Sequence, residues 1–132
     1  MSYITAQNLN KTYGRGDAIV SAVSDVSFQI QAGEFISLMG ESGAGKSTLL
    51  SIMGAMNAPT SGTFVVDEID IYSLSSEQQA DFRREFLGFI FQDFCLVPYL
   101  TVSENVMLPL TIVKKSRKQK QQMVRSALSQ VD

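Results

Sequence analysis

Residues 3–9 alternate loosely between apolar and polar side chains, the two-residue period of a strand with one covered face. Lys11-Thr12-Tyr13-Gly14 follows, then a polar stretch to Asp17 that reads as a hairpin tip. Val26, Phe28 and Ile30 alternate more cleanly. Gln31-Ala32-Gly33 then turns into Phe35-Ile36-Ser37-Leu38-Met39, an apolar run suited to a buried parallel strand. From Lys46 the period changes: Leu49, Ile52 and Met53 recur at helical spacing. Asn57 to Gly62 is turn chemistry, and the stretch from Thr63 through Ile71 predicts a small antiparallel strand pair. Ser75 and Gln78 stand at capping-box spacing and open a helix to about Phe86. Leu87-Gly88-Phe89-Ile90-Phe91 predicts another apolar strand, ending at Gln92. A loop at 93–100 leads to a second capping box, Thr101 with Glu104, whose helix meets Pro109. A third box, Ser116 with Gln119, opens a helix with Val124, Ala127, Leu128 and Val131 on one face.

Between the run at 35–39 and the helix from Lys46 lies Gly40-Glu41-Ser42-Gly43-Ala44-Gly45-Lys46-Ser47-Thr48. It fits G-x-x-x-x-G-K-[ST], the phosphate-binding loop of nucleoside-triphosphate enzymes. Gly40, Gly43 and Gly45 let the backbone turn tightly and bring N–H groups against an anion. Lys46 would reach the β- and γ-phosphates, and the Ser47 hydroxyl would bind Mg²⁺. A helix starting at Lys46 adds its N-terminal N–H groups and dipole. A glycine-rich turn with no ligand is the bland alternative, but strand, loop and helix stand here in the order the motif requires. Asp67-Glu68, after the apolar residues 64–66, imitates the second NTPase motif, which holds Mg²⁺ and a catalytic carboxylate. The apolar run is too short, and Asp-Glu is also turn chemistry at a strand end, so the pair reads as a turn.

Composition narrows the picture. The 132 residues suffice for one domain. A net charge of −2 implies no bulk attraction to nucleic acid. One cysteine, Cys95, leaves no intrachain disulfide and suits a reducing, cytosolic setting. No apolar run approaches the ~20 residues of a membrane span. Six of the eleven basic residues fall between Lys114 and Arg125, a solvated helix face or a contact for anionic headgroups or a partner.

With these motifs placed, the chain resembles the ATP-binding subunit of ABC transporters, and within it the subgroup serving lipoprotein release and macrolide-type export. The stretches that carry the resemblance run in register along nearly the whole chain. They are Lys11-Thr12-Tyr13-Gly14, Gly33 to Gly40, the phosphate loop, Pro59-Thr60-Ser61-Gly62, and Leu87 to Gln92, continuing through Leu96-Val97-Pro98, Thr101-Val102, Glu104-Asn105-Val106 and Leu108-Pro109-Leu110. The resemblance implies an α/β fold: a P-loop NTPase core, an N-terminal antiparallel β subdomain, the start of a helical subdomain and an incomplete parallel sheet. It divides 1–132 into a mostly β preface at 1–39, the phosphate loop and helix at 40–56, strands and a helix at 57–92, and the start of the helical part at 93–132. ATP and Mg²⁺ are the implied ligands. Tyr13, by itself readable as a packed strand-end tyrosine, matches the aromatic residue that stacks on adenine. Gly40, Ser42, Gly43, Ala44, Gly45, Lys46, Ser47 and Thr48 match the residues wrapped around the phosphates. Gln92, by itself a polar residue ending a strand, matches the glutamine that contacts Mg²⁺ and the attacking water. Lys46 and Gln92 are thus the implied catalytic residues, and Ser47 and Gln92 the metal contacts.

The implied partners are a transmembrane permease, docking through the loop from Phe94 to Leu100, and a second ATPase subunit in a head-to-tail homodimer; nucleic acid is not among them. The implied location is peripheral, on the cytoplasmic face of the inner membrane. Glu41 and Ala44 depart from the family's frequent proline and serine without threatening nucleotide binding. Larger departures are the Leu-Ser-Gly-Gly-Gln signature, the strand carrying the magnesium aspartate and catalytic glutamate, and the switch histidine: this chain has none of them and no histidine at all. The expectation is therefore an N-terminal portion of a subunit of roughly 220–240 residues, a usual domain size. That portion would bind nucleotide weakly, hydrolyse little and pair with another copy through exposed strand edges. Three alternatives stay open: a soluble ATPase of the same family acting on DNA or ribosomes, a small-molecule kinase, and a non-catalytic nucleotide-binding module.

Overall fold

The computed structural model of the chain describes residues 2–131, with Asp17 described by its backbone alone. The chain is α/β and divides into two compact units at the Gly88–Phe89 junction.

The first unit is built on strand β1 (Ile4–Tyr13) and strand β2 (Val20–Ile30), joined by a short 3-10 turn at Gly16–Ala18. They pair antiparallel from Ile4↔Ile30 to Tyr13↔Val20. On its other edge β1 pairs antiparallel with β3 (Ser61–Val66), from Ile4↔Val66 to Asn10↔Ser61, and β3 pairs with β4 (Ile69–Asp70). The sheet order is β2-β1-β3-β4. β1 runs four residues past the alternating stretch because bulges interrupt its period: the register shifts between Ala6 and Leu9 and again between Leu9 and Lys11. Asn8 and Asp25 take the left-handed turn of the backbone at the bulge, each with φ 48°. Their side chains meet there, Asn8 Nδ2 donating to Asp25 Oδ1 at 2.8 Å.

Helix α1 (Lys46–Met53) buries Leu49 and Ile52 among Ala6, Leu9, Val23, Phe64 and Ile71. Its C-terminus closes in a Schellman motif, the Ala55 N–H bonding to the Ile52 carbonyl (3.0 Å) and the Met56 N–H to the Ser51 carbonyl (3.0 Å). The left-handed position of that motif is Ala55, φ 53°, rather than Gly54 one residue before it. Arg83, on helix α2 (Ser76–Phe86), adds a bond from Nη1 to the Ala55 carbonyl at 2.6 Å. Asp67 and Glu68 both have positive φ, 47° and 67°, and link β3 to β4 as the two-residue turn of a tight hairpin. The pair is turn chemistry, as its sequence suggests.

Two expected strands do not form. Residues 35–39 and 87–91 have no strand assignment, and no strand among the described residues pairs with either. A strand persists because its N–H and C=O groups are met by a neighbour. Here Phe35, Ile36, Met39, Ile90 and Phe91 are all exposed. The expected parallel sheet is correspondingly absent among the described residues, whose ladders are all antiparallel.

The second unit carries helix α3 (Val102–Met107), a 3-10 turn at Leu108–Leu110 and helix α4 (Arg117–Leu128). All three expected capping boxes form, at Ser75/Gln78, Thr101/Glu104 and Ser116/Gln119. The apolar face expected on α4 is only partly covered: Val124 is buried and Leu128 half-buried, while Ala127 and Val131 are exposed. No helix among the described residues is long and apolar enough to cross a membrane.

Candidate functional site

The phosphate-loop residues are brought together in the first unit. The loop leaves the exposed stretch at 35–39, turns at Gly43 (φ 81°) and enters α1 through Gly45 (φ 85°). Both angles lie where a side chain is disfavoured. Gly45 is doubly constrained, since a Cβ there would run into the Ala22 carbonyl oxygen of β2. Ala22 is the extra residue of a bulge, lying between Lys11↔Val23 and Thr12↔Ser21 in the β1–β2 register. The hairpin that carries Tyr13 therefore also fixes the entry to the phosphate loop.

Gly45 offers α1 no side-chain cap. The first-turn N–H groups of Lys46, Ser47 and Thr48 consequently have no protein acceptor among the described residues. Buried Leu49 and Ile52 anchor the inner face of α1, while its N-terminal end with Ser47 is open to solvent. Lys46 Nζ folds back to donate to the Gly40 carbonyl (2.7 Å) and the Glu41 carbonyl (2.6 Å). Those two oxygens hold the ammonium at the mouth of the loop. The Ala44 N–H closes the turn on the Glu41 carbonyl at 3.2 Å. The Glu41 side chain is exposed and makes no ion pair with Lys46 among the described residues. Unpaired donors, a lysine and a hydroxyl at one helix start fit the oxygen-rich, anionic chemistry of a magnesium-bound triphosphate.

Tyr13 ends β1 and is 44% exposed. Its hydroxyl accepts from Asn57 Nδ2 at 2.6 Å, and Lys11 Nζ lies 5.2 Å from the ring centroid. Neither Asn57 nor Lys11 stands out in sequence as a site residue. The available signals were the Asn in the turn after α1 and a lysine two residues before the tyrosine, the same-face spacing of a strand.

Gln92 lies in the second unit, exposed and outside any helix or strand. Just beyond it, Phe94, Leu96 and Tyr99 present their apolar bodies to solvent. The shape of this loop comes from Asn105 of α3. Its Oδ1 accepts from the Val97 N–H at 2.8 Å, and its Nδ2 donates towards the carbonyls of Leu100 and Thr101, each at 3.1 Å. The helix start at Thr101 is tightened by Glu104. The Thr101 backbone N–H, and then its hydroxyl, hold that carboxyl below its ordinary range. An open groove of about 400 Å³ lies between α3 and α4, lined among others by Met107, Arg117, Gln121 and Val124. None of the expected site residues lines it.

Comparisons with known proteins identify the family of the chain. The family description for ABC transporters matches residues 23–132. The chain is 41% identical over 128 residues to the uncharacterized ABC transporter ATP-binding protein YvrO of Bacillus subtilis, covering 97% of this chain and 56% of that protein. It is 40% identical over 121 residues to the macrolide export ATP-binding/permease protein MacB of Salmonella typhimurium, covering 92% of this chain and 19% of that protein. Among solved structures it superposes on the dimeric, post-hydrolysis ATP-binding cassette MJ0796 of Methanocaldococcus jannaschii, bound to ADP and Pi. That match has a TM-score of 0.86 and 38% identity, covering 96% of this chain and 56% of that one. The chain thus belongs to the ABC transporter family, in its ATP-binding part, and spans about half the length of relatives such as YvrO and MJ0796.

Proposed function

We propose that this chain, as part of an ABC transporter ATPase, binds MgATP at the loop 40–48 and serves an enzyme whose ATP hydrolysis drives export or extraction by a membrane partner. The observation that carries the reading is the start of α1, where unpaired N–H groups, Lys46 and Ser47 converge. Gly40, Ser42, Gly43, Ala44, Gly45 and Thr48 wrap the phosphates, Lys46 neutralises the β- and γ-phosphate oxygens, and Tyr13 stacks on the base. Ser47 and Gln92 are the residues that would hold Mg²⁺, which when bound neutralises charge on the phosphates. Gln92 also orients the water that attacks the γ-phosphate. The segments 1–39, 40–56, 57–92 and 93–132 act as β preface, phosphate loop with helix, approach to Gln92, and start of the helical part.

The exposed loop from Phe94 to Leu100 is the proposed landing surface for a short helix of a membrane permease. Phe94, Leu96 and Tyr99 offer the apolar area such a contact uses. A second ATPase subunit would supply the other wall of the nucleotide site, and the working location is the cytoplasmic face of the membrane. Turnover by these 132 residues alone is expected to be negligible, because no residue here is placed as the catalytic carboxylate.

The test is a MgATP titration of the chain, with phosphate release followed in the same samples and Lys46→Ala as control. Expected is binding that falls roughly 10- to 100-fold in the variant, the loss of charge-assisted hydrogen bonds, with no release in either. Lys46-dependent release would overturn the expected inactivity and make Glu68 the first carboxylate to remove. Binding indifferent to Lys46 would overturn the site.

A further inference from the structure

We infer that Asn57 is a positioning residue for the nucleotide base: it ties the Tyr13 ring to the far end of the same helix whose start takes the phosphates. The inference rests on the proposed stacking of the base on Tyr13. ATP is one covalent body, so its base and its phosphates can be held together only if their two platforms are fixed relative to each other. α1 has eight residues, Lys46–Met53, so its ends lie about 12 Å apart at 1.5 Å per residue. Lys46 and Ser47 occupy one end. Asn57 follows the other end and is immobilised in three ways.

Its backbone N–H donates to the Ser51 carbonyl at 3.2 Å. Its carbonyl lies 3.0 Å from the Tyr72 hydroxyl, which also bonds to the Ile52 carbonyl at 2.6 Å. Its side-chain Nδ2 donates to the Tyr13 hydroxyl at 2.6 Å. The ring is thereby referred to α1 rather than to the strand end alone.

The same turn braces the strand end from behind. Lys11 Nζ donates to the Ala58 carbonyl at 2.6 Å and lies near the Tyr13 ring, where its charge is attracted to the π-face. The Thr12 N–H donates to Thr60 Oγ1 at 3.0 Å, and the Thr60 N–H to the Asn10 carbonyl at 2.7 Å. A face of the ring taken by the lysine is not available to a base. The stacking surface is therefore single-sided, with its tilt set by the hydroxyl bond to Asn57.

The experiment compares affinities of the chain for MgATP and for magnesium tripolyphosphate, which has the phosphates without the nucleoside. The ratio of the two isolates the base and ribose contribution. Asn57→Leu is expected to lower that ratio about fivefold, one hydrogen bond's worth, with tripolyphosphate affinity unchanged. Asn57→Asp, whose carboxylate can accept a hydrogen bond from the Tyr13 hydroxyl, is expected to restore it. In a Tyr13→Phe background, which lacks the hydroxyl, Asn57→Leu should cause no further loss.

A ratio that falls in Tyr13→Ala but not in Asn57→Leu overturns the positioning role and leaves the stacking reading intact. A ratio unmoved in Tyr13→Ala overturns the stacking reading itself, and the inference with it. Equal losses of both ligands in Asn57→Leu, or loss persisting in the Tyr13→Phe background, mean that Asn57 only holds the loop's shape, and overturn the inference. Failure of the unaltered chain to bind tripolyphosphate overturns the phosphate site on which both depend.

Discussion

Thr63-Phe64-Val65-Val66 and Glu34-Phe35-Ile36-Ser37 have similar sequence chemistry and opposite fates. Phe64 in β3 is 1% exposed; Phe35 is 96% exposed. β3 has β1 on one side and β4 on the other, so its backbone groups are met and its inner side chains reach the core with Leu9 and Ile52. Residues 35–39 have no neighbouring strand among the described residues, and the side chains that would have been inward-facing have no inside. Apolar composition supplies the drive to be covered, but the ladder partner decides whether a segment is a strand. Residues 87–91 repeat the lesson: Ile90 is fully exposed, and Phe89 and Phe91, both exposed, stack on each other with ring centroids 5.8 Å apart.

The largest expected effect divides the two phenylalanines. Phe64→Ala should cost about 3–5 kcal/mol, the cavity cost of a buried aromatic, and Phe35→Ala less than about 0.5 kcal/mol. Urea unfolding followed by circular dichroism measures both, and equal costs would break the comparison. A second consequence follows from the bare segments. Light scattering is expected to show the chain associating as concentration rises, with Ile36→Asp combined with Ile90→Asp restoring the monomer mass. A stable monomer of the unaltered chain at high concentration would mean these segments are not sticky, and would sink the edge-pairing reading.

The paired region can be sharpened further at Tyr72. Burial is the main reason its phenol is pushed up from 10.0 to about 12, against smaller lowering effects of the Asn57 backbone and the Arg83 charge. The neutral phenol is the form that the folded state favours. Its contribution is therefore complete below pH 10 and lost as pH rises through about 12. Tyr72→Phe is expected to cost about 1 kcal/mol at neutral pH and to remove the loss of stability that the parent shows across that window, so that the difference between the two narrows as pH rises. Denaturant midpoints at pH 8 to pH 11.5 test it, and parallel curves for the two proteins would contradict it. One change should be a gain: Ala55→Gly, at φ 53° in the Schellman position, should stabilise the fold by roughly 0.5–1 kcal/mol. Thermal unfolding would show a higher midpoint, and a lower one would mean that the Ala55 methyl matters more than its strain.

Several features were legible from local sequence because short-range chemistry decides them. The three capping boxes need only a hydroxyl and a carboxamide or carboxylate three residues apart. The phosphate loop needs its glycines and a following helix, and both are where the motif puts them. The Asp67-Glu68 turn was likewise readable, since two residues between short apolar runs leave room for little else. β1 was harder to see whole, because the Asn8–Asp25 bulge breaks the alternation on which strand reading depends.

What the sequence alone determined, then, is the set of local units and the family to which their order belongs. Tertiary structure decided the rest, and each decision involves partners far apart in the chain. Residues 35–39 are not a strand because strandedness is a property of a pair. Gly45 must be glycine for the sake of Ala22 as well as its own backbone angle, because a bulge in β2 presses a carbonyl against it. Tyr13 is held by an asparagine 44 positions away, through a hydrogen bond that no spacing rule announces. Local propensity is written residue by residue, whereas ladders, close approaches and side-chain tethers exist only once the chain has brought distant residues within a few ångströms of one another.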